Sequence, residues 1–261
     1  KQHMRDKIID LEDLKTFPSE LVNFINDKRK LFLKYFLAVI ESGDIEESFI
    51  DSFGEDETII LSQVNDILKG YNIIGYHISR ICDDTISQKG LKKLSDDYYL
   101  DYMRSVFICK LGYSEQDTQK CIQLLENNLN LKNGQDRKCL SLFFPASRFL
   151  LYEKDGGYLE LYGDCVGGEI AKITFSNFKT VRRDLCGIGS AHIIKFIFPY
   201  DELTIDTEYP KNFVQKEILY FLLCLIFDDK LPYNALLLAQ VDCDIPKENI
   251  LEIIEINQQN I

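Results

Sequence analysis

The stretch YNIIGYHISRICDDTISQKGLKKL, residues 71–94, decides how the rest of the chain is interpreted. Its apolar part, 73–78, predicts a short buried strand that carries His77, with Arg80 just past the predicted strand end. A polar turn and a short amphipathic helix that ends at Gly90 follow. Buried donors and charges need partners, so a histidine and an arginine here indicate a candidate site. The alternative is a hydrogen-bonded structural role for His77.

Composition limits the class of protein. The 261 residues are 46% hydrophobic, enough for a sizeable core, and the net charge of −12 argues against broad non-specific binding to nucleic acid. The most apolar run, 218–227, is half the length of a membrane span, and no signal peptide is evident. None of the eight cysteines forms a C-x-x-C pair, and several lie in apolar runs. We therefore expect reduced thiols, a cytoplasmic location and no membrane partner.

Helix and strand patterns are unevenly distributed along the chain. Helices are predicted at 18–41, 57–68, 95–110, 114–131, 169–178 and 209–227. Strands are predicted at 73–78, 139–144, 148–152, 158–162, 192–199, 235–241 and 250–256. This segregation is typical of an α+β fold. We predict a single domain over 1–261, with a helical N-terminal extension (1–70) and an α+β core (71–261) that contains a helical insert (95–131). The apolar faces of the first two helices predict core packing and no chemistry.

Two further segments are candidates for chemistry. YLELYG, 158–163, places Tyr158 and Tyr162 on one face of a predicted strand, where packing is the alternative role. DCVGGE, 164–169, places two glycines before Glu169, and such glycines let the backbone approach another group closely. The alternative for this segment is a turn followed by a first-turn helix acid, which the helix dipole favours.

Together with YHISR (76–80) and ISQKGL (86–91), these segments resemble the ADP-ribosyltransferase fold of bacterial toxins and phage-defence effectors. The resemblance implies a split mixed or antiparallel β-sheet core, which follows the predicted N-terminal helices; those helices and the insert 95–131 lie outside the resemblance. In that family an early strand carries a His or Arg, a middle strand supplies an aromatic or Ser/Thr, and a later Glu follows. The chain departs from the family in two respects: position 167 is Gly, so the Glu-x-Glu motif is absent, and the Ser-Thr-Ser motif is missing. The target is therefore left open.

The resemblance also implies roles for individual residues. NAD would be the substrate, with His77 hydrogen-bonded to its ribose or pyrophosphate side and Arg80 paired with phosphate. Tyr158 or Tyr162 would stack on nicotinamide, and Glu169 would be the catalytic residue that stabilises an oxocarbenium-like centre. No metal is needed. The acceptor would be a macromolecule, whether protein, DNA or RNA, and an antitoxin or regulatory protein is allowed for as a partner.

Two other functions remain open from the residues. An RNA-acting nuclease would use His77, Arg80 and Glu169, but such an enzyme is expected to show a more basic face. A non-catalytic protein-interaction module of the same fold would offer its acidic surface to a basic partner. Strand alternation sets one condition for a cleft that His77 and Arg80 would both line. Arg80 faces the same way as His77 only if the strand ends before Arg80.

Overall fold

The computed structural model describes residues 7–93, 95–131, 140–144, 163–203, 212–231, 237–241 and 243–256. Helices and strands occur together in this part of the chain, as an α+β fold requires. The helices are, in chain order, α1 (Ser19–Asp27), α2 (Arg29–Ser42), α3 (Ile45–Phe53), α4 (Glu57–Leu68), α5 (Thr85–Lys89), α6 (Asp96–Ser105, extended by a π-helical turn over Val106–Lys110), α7 (Glu115–Leu131), α8 (Gly168–Thr174), α9 (Lys179–Gly187) and α10 (Phe213–Phe227).

The helices follow the predicted pattern with four differences. Helix α10 begins at Phe213, after the N-cap Asn212, whereas its start was predicted at residue 209. The predicted helix 18–41 is two helices, because the backbone leaves helical geometry at Lys28 (φ −106°, ψ 26°). Helix α3 was not predicted, although Asp44 caps it by accepting a hydrogen bond from the Glu47 N–H at 2.8 Å. The predicted helix 169–178 ends at Thr174, and the unpredicted α9 begins at Lys179.

The strands are β1 (Ile8–Ile9), β2 (Asn72–Ile81), β3 (Leu140–Phe144), β4 (Ser190–Pro199), β5 (Leu237–Val241) and β6 (Ile250–Glu255). They pair in the order β5-β3-β2-β4-β6, and β1 runs parallel to β2 with Ile8 beside Asn72. The predicted end of the strand at residue 78 is wrong, since β2 continues to Ile81. The predicted strands 148–152 and 158–162 lie outside the described residues.

Contacts within the chain group it into two compact units. The first unit comprises Lys1–Gly75, Ser141–Arg148 and Phe196–Val241, and the second comprises Tyr76–Leu140, Phe149–Lys195 and Asp242–Ile261. Cooperative unfolding as a single domain stays a prediction.

The first unit is built around α10. This helix is apolar almost all round and 11 of its 15 residues are buried, so it forms the centre of the unit rather than a surface layer. Helices α2, α3 and α4 pack against it. Aromatic side chains fill the space between α2 and α3: the rings of Tyr35 and Phe49 meet edge to face with centroids 5.1 Å apart. Helices α2, α3 and α4, which belong to the predicted N-terminal extension, therefore share a core with α10.

The second unit has its own core between α6, α7, α8 and α9. Its buried centre includes Met103, Phe107, Leu125, Phe175 and Leu185. The rings of Phe107 and Phe175 meet edge to face at 5.9 Å, which joins the π-helical turn after α6 to the end of α8. The helices predicted at 95–110 and 114–131 are confirmed, and their interpretation as an insert stays a prediction.

Two global features concern the described part of the chain. Within it, no helix combines the length and apolar character needed to cross a membrane. No disulfide joins the cysteines there, which are Cys82, Cys109, Cys121, Cys165, Cys186, Cys224 and Cys243, and Cys139 lies outside the described residues. That the thiols are reduced in the cell stays a prediction.

Candidate functional site

Arg80 lies near the C-terminal end of β2 and binds the chain's own backbone. Its Nε donates to the carbonyl of Ile188 at 2.8 Å, its Nη2 to Gly189 at 3.0 Å and its Nη1 to Gly163 at 3.3 Å. The planar guanidinium fork can satisfy several acceptors at fixed angles. Arg80 therefore braces the end of β2 against two turns, with three of its five N–H donors already used.

The turn before β4 packs closely on this strand end. Gly189 has a positive φ of 64°, and a Cβ there would collide with the carbonyl of Ile81. Only glycine combines this backbone geometry with so close an approach. The contacts of Arg80 and Gly189 together fix where β4 begins relative to the end of β2.

His77 is a half-buried residue between two buried neighbours, Tyr76 and Ile78. Because β2 continues to Ile81, regular alternation places His77 and Arg80 on opposite faces of the strand. The condition for a cleft shared by these two residues is therefore not met. Both residues, like Glu169, belong to the second unit.

The loop before α8 is held by charge pairs to the two following helices. The Asp164 carboxylate accepts a hydrogen bond from Arg182 of α9 at 3.1 Å, and Lys172 of α8 lies 3.7 Å from the same oxygen. Within the loop, the Val166 N–H donates to the carbonyl of Leu185 at 3.2 Å. These contacts fix the loop on the core of the second unit.

The backbone conformation of Gly167 and its packing within the second unit both require glycine at this position. Its φ is 89°, and a Cβ would lie 2.8 Å from Met103 Sδ and from Ala171 Cβ. The Tyr99 hydroxyl donates to the Gly167 carbonyl at 2.9 Å. The close approach predicted for this glycine pair is thus made, at Gly167, to side chains of the second unit's own core.

Glu169 follows as the second residue of α8. It is partly exposed, and it lies in the first turn of a helix whose N-cap, Gly167, offers no side chain. A carboxylate in this position is stabilised by the helix dipole. The predicted partners Tyr158 and Tyr162 lie outside the described residues.

The thiols beside this loop are poor nucleophiles. Burial raises the pKa of Cys165 to about 12, and burial is also the main cause of the raised pKa of Cys186. Thiolates, not thiols, attack electrophiles and bind metals. We therefore assign neither cysteine a catalytic role.

A buried ionic cluster lies in the first unit, where ordinary core packing was predicted. The Lys216 side chain is 1% exposed, and its Nζ lies 2.6 Å from Glu46 Oε1 and 2.7 Å from Glu57 Oε1. The same Nζ is 4.8 Å from the ring centroid of Phe49. The signal in the sequence is the adjacent pair Lys216-Glu217 inside the apolar run of α10.

Further polar groups lie near this cluster. Burial raises the pKa of Glu217 to about 7. Burial and the neighbouring carboxylates of Glu217 and Glu46 raise the pKa of the Tyr35 phenol. Among the described residues, the Tyr35 hydroxyl and Glu46 Oε2 are buried atoms with no hydrogen-bond partner. Lys216 thus joins α10 to α3 and α4 through one buried ammonium and two carboxylates whose side chains are 31% and 28% exposed.

Neither a search for metal ligands nor a comparison with known proteins adds evidence about the function. Within the residues that the structure describes, no group of three or more His, Cys, Asp or Glu side chains is arranged to hold a metal ion. Comparison with protein-family profiles, with curated proteins and with solved structures found no match.

Proposed function

We propose that the chain is an NAD-dependent ADP-ribosyltransferase that modifies a macromolecule, with Glu169 as the catalytic residue. The sequence resemblance at 76–80 and 86–91 suggests this class. The observation that carries the proposal is that contacts with the rest of the second unit hold the turn before Glu169 in place. Glu169 is a partly exposed residue that follows a turn, and Tyr99 and Asp164 hold this turn from two sides. Fixed charge aimed at a reacting centre is what transition-state stabilisation requires.

The chemistry asks little of the protein beyond this carboxylate. The bond between ribose and nicotinamide breaks, nicotinamide leaves, and a nucleophilic atom of the target bonds to the ribose carbon and releases its proton. Glu169 stabilises the oxocarbenium-like centre and accepts a hydrogen bond from a ribose hydroxyl. His77 is proposed to hold the ribose or the pyrophosphate side, and Tyr158 or Tyr162 to stack on nicotinamide.

Arg80 enters the proposal in a different role from the predicted one. Three of its donors bind backbone carbonyls, so its contribution is to fix the end of β2 rather than to pair with phosphate. The split-sheet architecture of the family, a role as a bacterial toxin or anti-phage effector in the cytoplasm, and an antitoxin or regulatory partner belong to the same proposal.

Labelled NAD incubated with the protein and cell extract tests the activity. We expect label in one class of macromolecule, and we expect Glu169→Gln to remove most of the transfer while the fold is kept. Glu115→Gln is the matched control, because Glu115 is an exposed first-turn glutamate of α7 in the same unit. Equal labelling by the Glu169→Gln and Glu115→Gln proteins would reject Glu169 as the catalytic residue.

Calorimetry separates binding from catalysis. We expect Glu169→Gln to retain NAD binding, because its effect is on the transition state, and His77→Ala to weaken it. A folded wild-type protein that binds no NAD would contradict the proposal.

The second candidate is a non-catalytic interaction module. It is favoured by the internal partners of Arg80 and Gly167, since these two residues motivated a ligand site and both are explained by contacts within the second unit. Absence of NAD binding, together with capture of a basic partner by the acidic chain, would select this candidate.

A further inference from the structure

Helix α2 has two apolar faces, and only one packs inside the first unit. The inward face is buried and consists of Phe32, Tyr35, Phe36 and Val39. The other face, here called the α2 stripe, consists of Leu33, Leu37 and Ile40, whose surfaces are 36%, 54% and 58% exposed. Spacings of four and three residues align these side chains in one row. A contiguous exposed apolar row of this kind marks an interaction site.

The spacing of the stripe matches a helix-pairing seam. Residues that repeat every 3.5 positions on average form the contact line of two packed helices. Leu33, Leu37 and Ile40 have this spacing over two turns of a 14-residue helix, which is about 21 Å long. The stripe is therefore suited to receive another helix along its length.

Charged residues beside the stripe are separated by sign. Lys30 and Lys34 lie toward the N-terminal end of α2 and Glu41 lies in its last turn, and all three are exposed. The helix dipole favours the reverse, with acids at the N-terminus and bases at the C-terminus. The stability of α2 alone therefore does not explain this arrangement. In an antiparallel neighbour with the same arrangement, the acidic end of one helix would lie beside the basic end of the other, and the opposite charges would attract.

We propose that a second copy of this chain docks on the α2 stripe, with the two α2 helices antiparallel about a two-fold axis near Leu37. Leu37 then meets Leu37 of the other copy, and Leu33 meets Ile40. Lys34 and Glu41 are two turns apart and share one flank of α2. A two-fold axis brings the same flank of both copies together, so Lys34 lies beside Glu41 of the other copy.

Two features set the strength of this contact. The interface is small, and each copy carries a net charge of −12, so long-range repulsion opposes association. Lys34 also donates within its own chain to the Asp51 carbonyl, but at 3.3 Å on an exposed surface. We expect a reversible dimer whose population rises with protein concentration.

Sedimentation velocity over a concentration series tests the proposal. Wild type should show a monomer–dimer equilibrium, and Leu37→Glu should weaken dimerisation at least about tenfold, because two like charges then meet at the centre of the contact. The matched control is Ile59→Glu, which places the same charge at an isolated apolar residue of α4 that is 57% exposed. This variant should dimerise as wild type does.

A charge exchange tests the antiparallel register. Lys34→Glu should weaken the dimer by bringing two acids together, and adding Glu41→Lys should restore it, since the exchanged pair is again opposite in sign. A structural effect of either residue within its own chain would not give this mutual rescue in the dimer while leaving the monomer fold unchanged.

The outcomes are distinct. A wild type that stays monomeric at every concentration overturns the proposal, and so does a dimer that survives Leu37→Glu or one that Ile59→Glu disrupts equally. If the wild type is monomeric and Leu37→Glu lowers its melting temperature, a segment of the same chain covers the stripe. Failure of the exchanged pair to restore the dimer overturns the antiparallel register.

Discussion

The Nζ atom of Lys216 lies 2.6 Å from Glu46 Oε1, although the lysine side chain is 1% exposed. This contact, with its counterpart at Glu57, ties the central helix α10 to α3 and α4. A buried charge is costly to desolvate and persists only with good partners. The contact therefore acts as a positional constraint: α10 fits the first unit only in the register that brings Lys216 to both carboxylates.

Removing the cation alone should destabilise the first unit. We expect Lys216→Met to lower the free energy of unfolding by about 3 kcal/mol, because two partly buried carboxylates lose their counter-ion. Urea denaturation followed by circular dichroism measures this. The control is the triple variant Lys216→Met, Glu46→Gln, Glu57→Gln, which should recover much of the loss. A triple variant less stable than Lys216→Met would show that the charges are needed for more than pairing.

Glu217 should make stability depend on pH. Burial raises its pKa from 4.5 to about 7 in the folded chain, so the folded state holds the proton more tightly than the unfolded state. Its contribution is fully present below pH 4.5 and is lost as pH rises toward and through about 7. The loss amounts to at most about 3 kcal/mol. Glu217→Gln, which stays neutral, should gain stability over wild type across this window, and a constant difference would contradict the assignment.

Gly167 should tolerate no side chain. Gly167→Ala should lower the free energy of unfolding by about 1 kcal/mol because of the positive φ. Overlap with Met103 and Ala171 should lower it by roughly a further 1–3 kcal/mol. Gly112→Ala is the control for the backbone alone, since Gly112 has a φ of 68° and nothing within 4 Å of the added Cβ. Thermal unfolding of both variants separates the two costs. Equal losses of stability would show that the packing around Gly167 relaxes freely.

Much of the fold follows from local signals in the sequence. Helix α4 matches its predicted bounds, 57–68, because apolar spacing and Gly70 define it locally. Helix α3 was missed although Asp44 and Glu47 have the spacing of a capping box. The end of β2 was placed too early, because a polar stretch around Arg80 is normally typical of a turn.

The candidate site was harder to predict, for a physical reason. The partners of Arg80 are backbone carbonyls that lie 83, 108 and 109 residues away along the chain. Every residue has a carbonyl, so the sequence carries no mark of these acceptors. The Lys216 cluster differs in this respect, since a Lys-Glu pair inside an apolar helix is visible in the sequence and indicates buried partners.

Arg80 provides a direct test between bracing and ligand binding. If it braces the end of β2, Arg80→Ala should lower the free energy of unfolding by about 2 kcal/mol, because carbonyls of Ile188, Gly163 and Gly189 lose a charged donor. Arg80→Lys should recover only part of this loss, since a single ammonium cannot reach all three acceptors. Urea denaturation of both variants measures stability, and calorimetry with NAD measures binding. If Arg80→Ala leaves stability unchanged but abolishes NAD binding, Arg80 does not brace β2, and the phosphate-pairing role that the sequence predicts is supported.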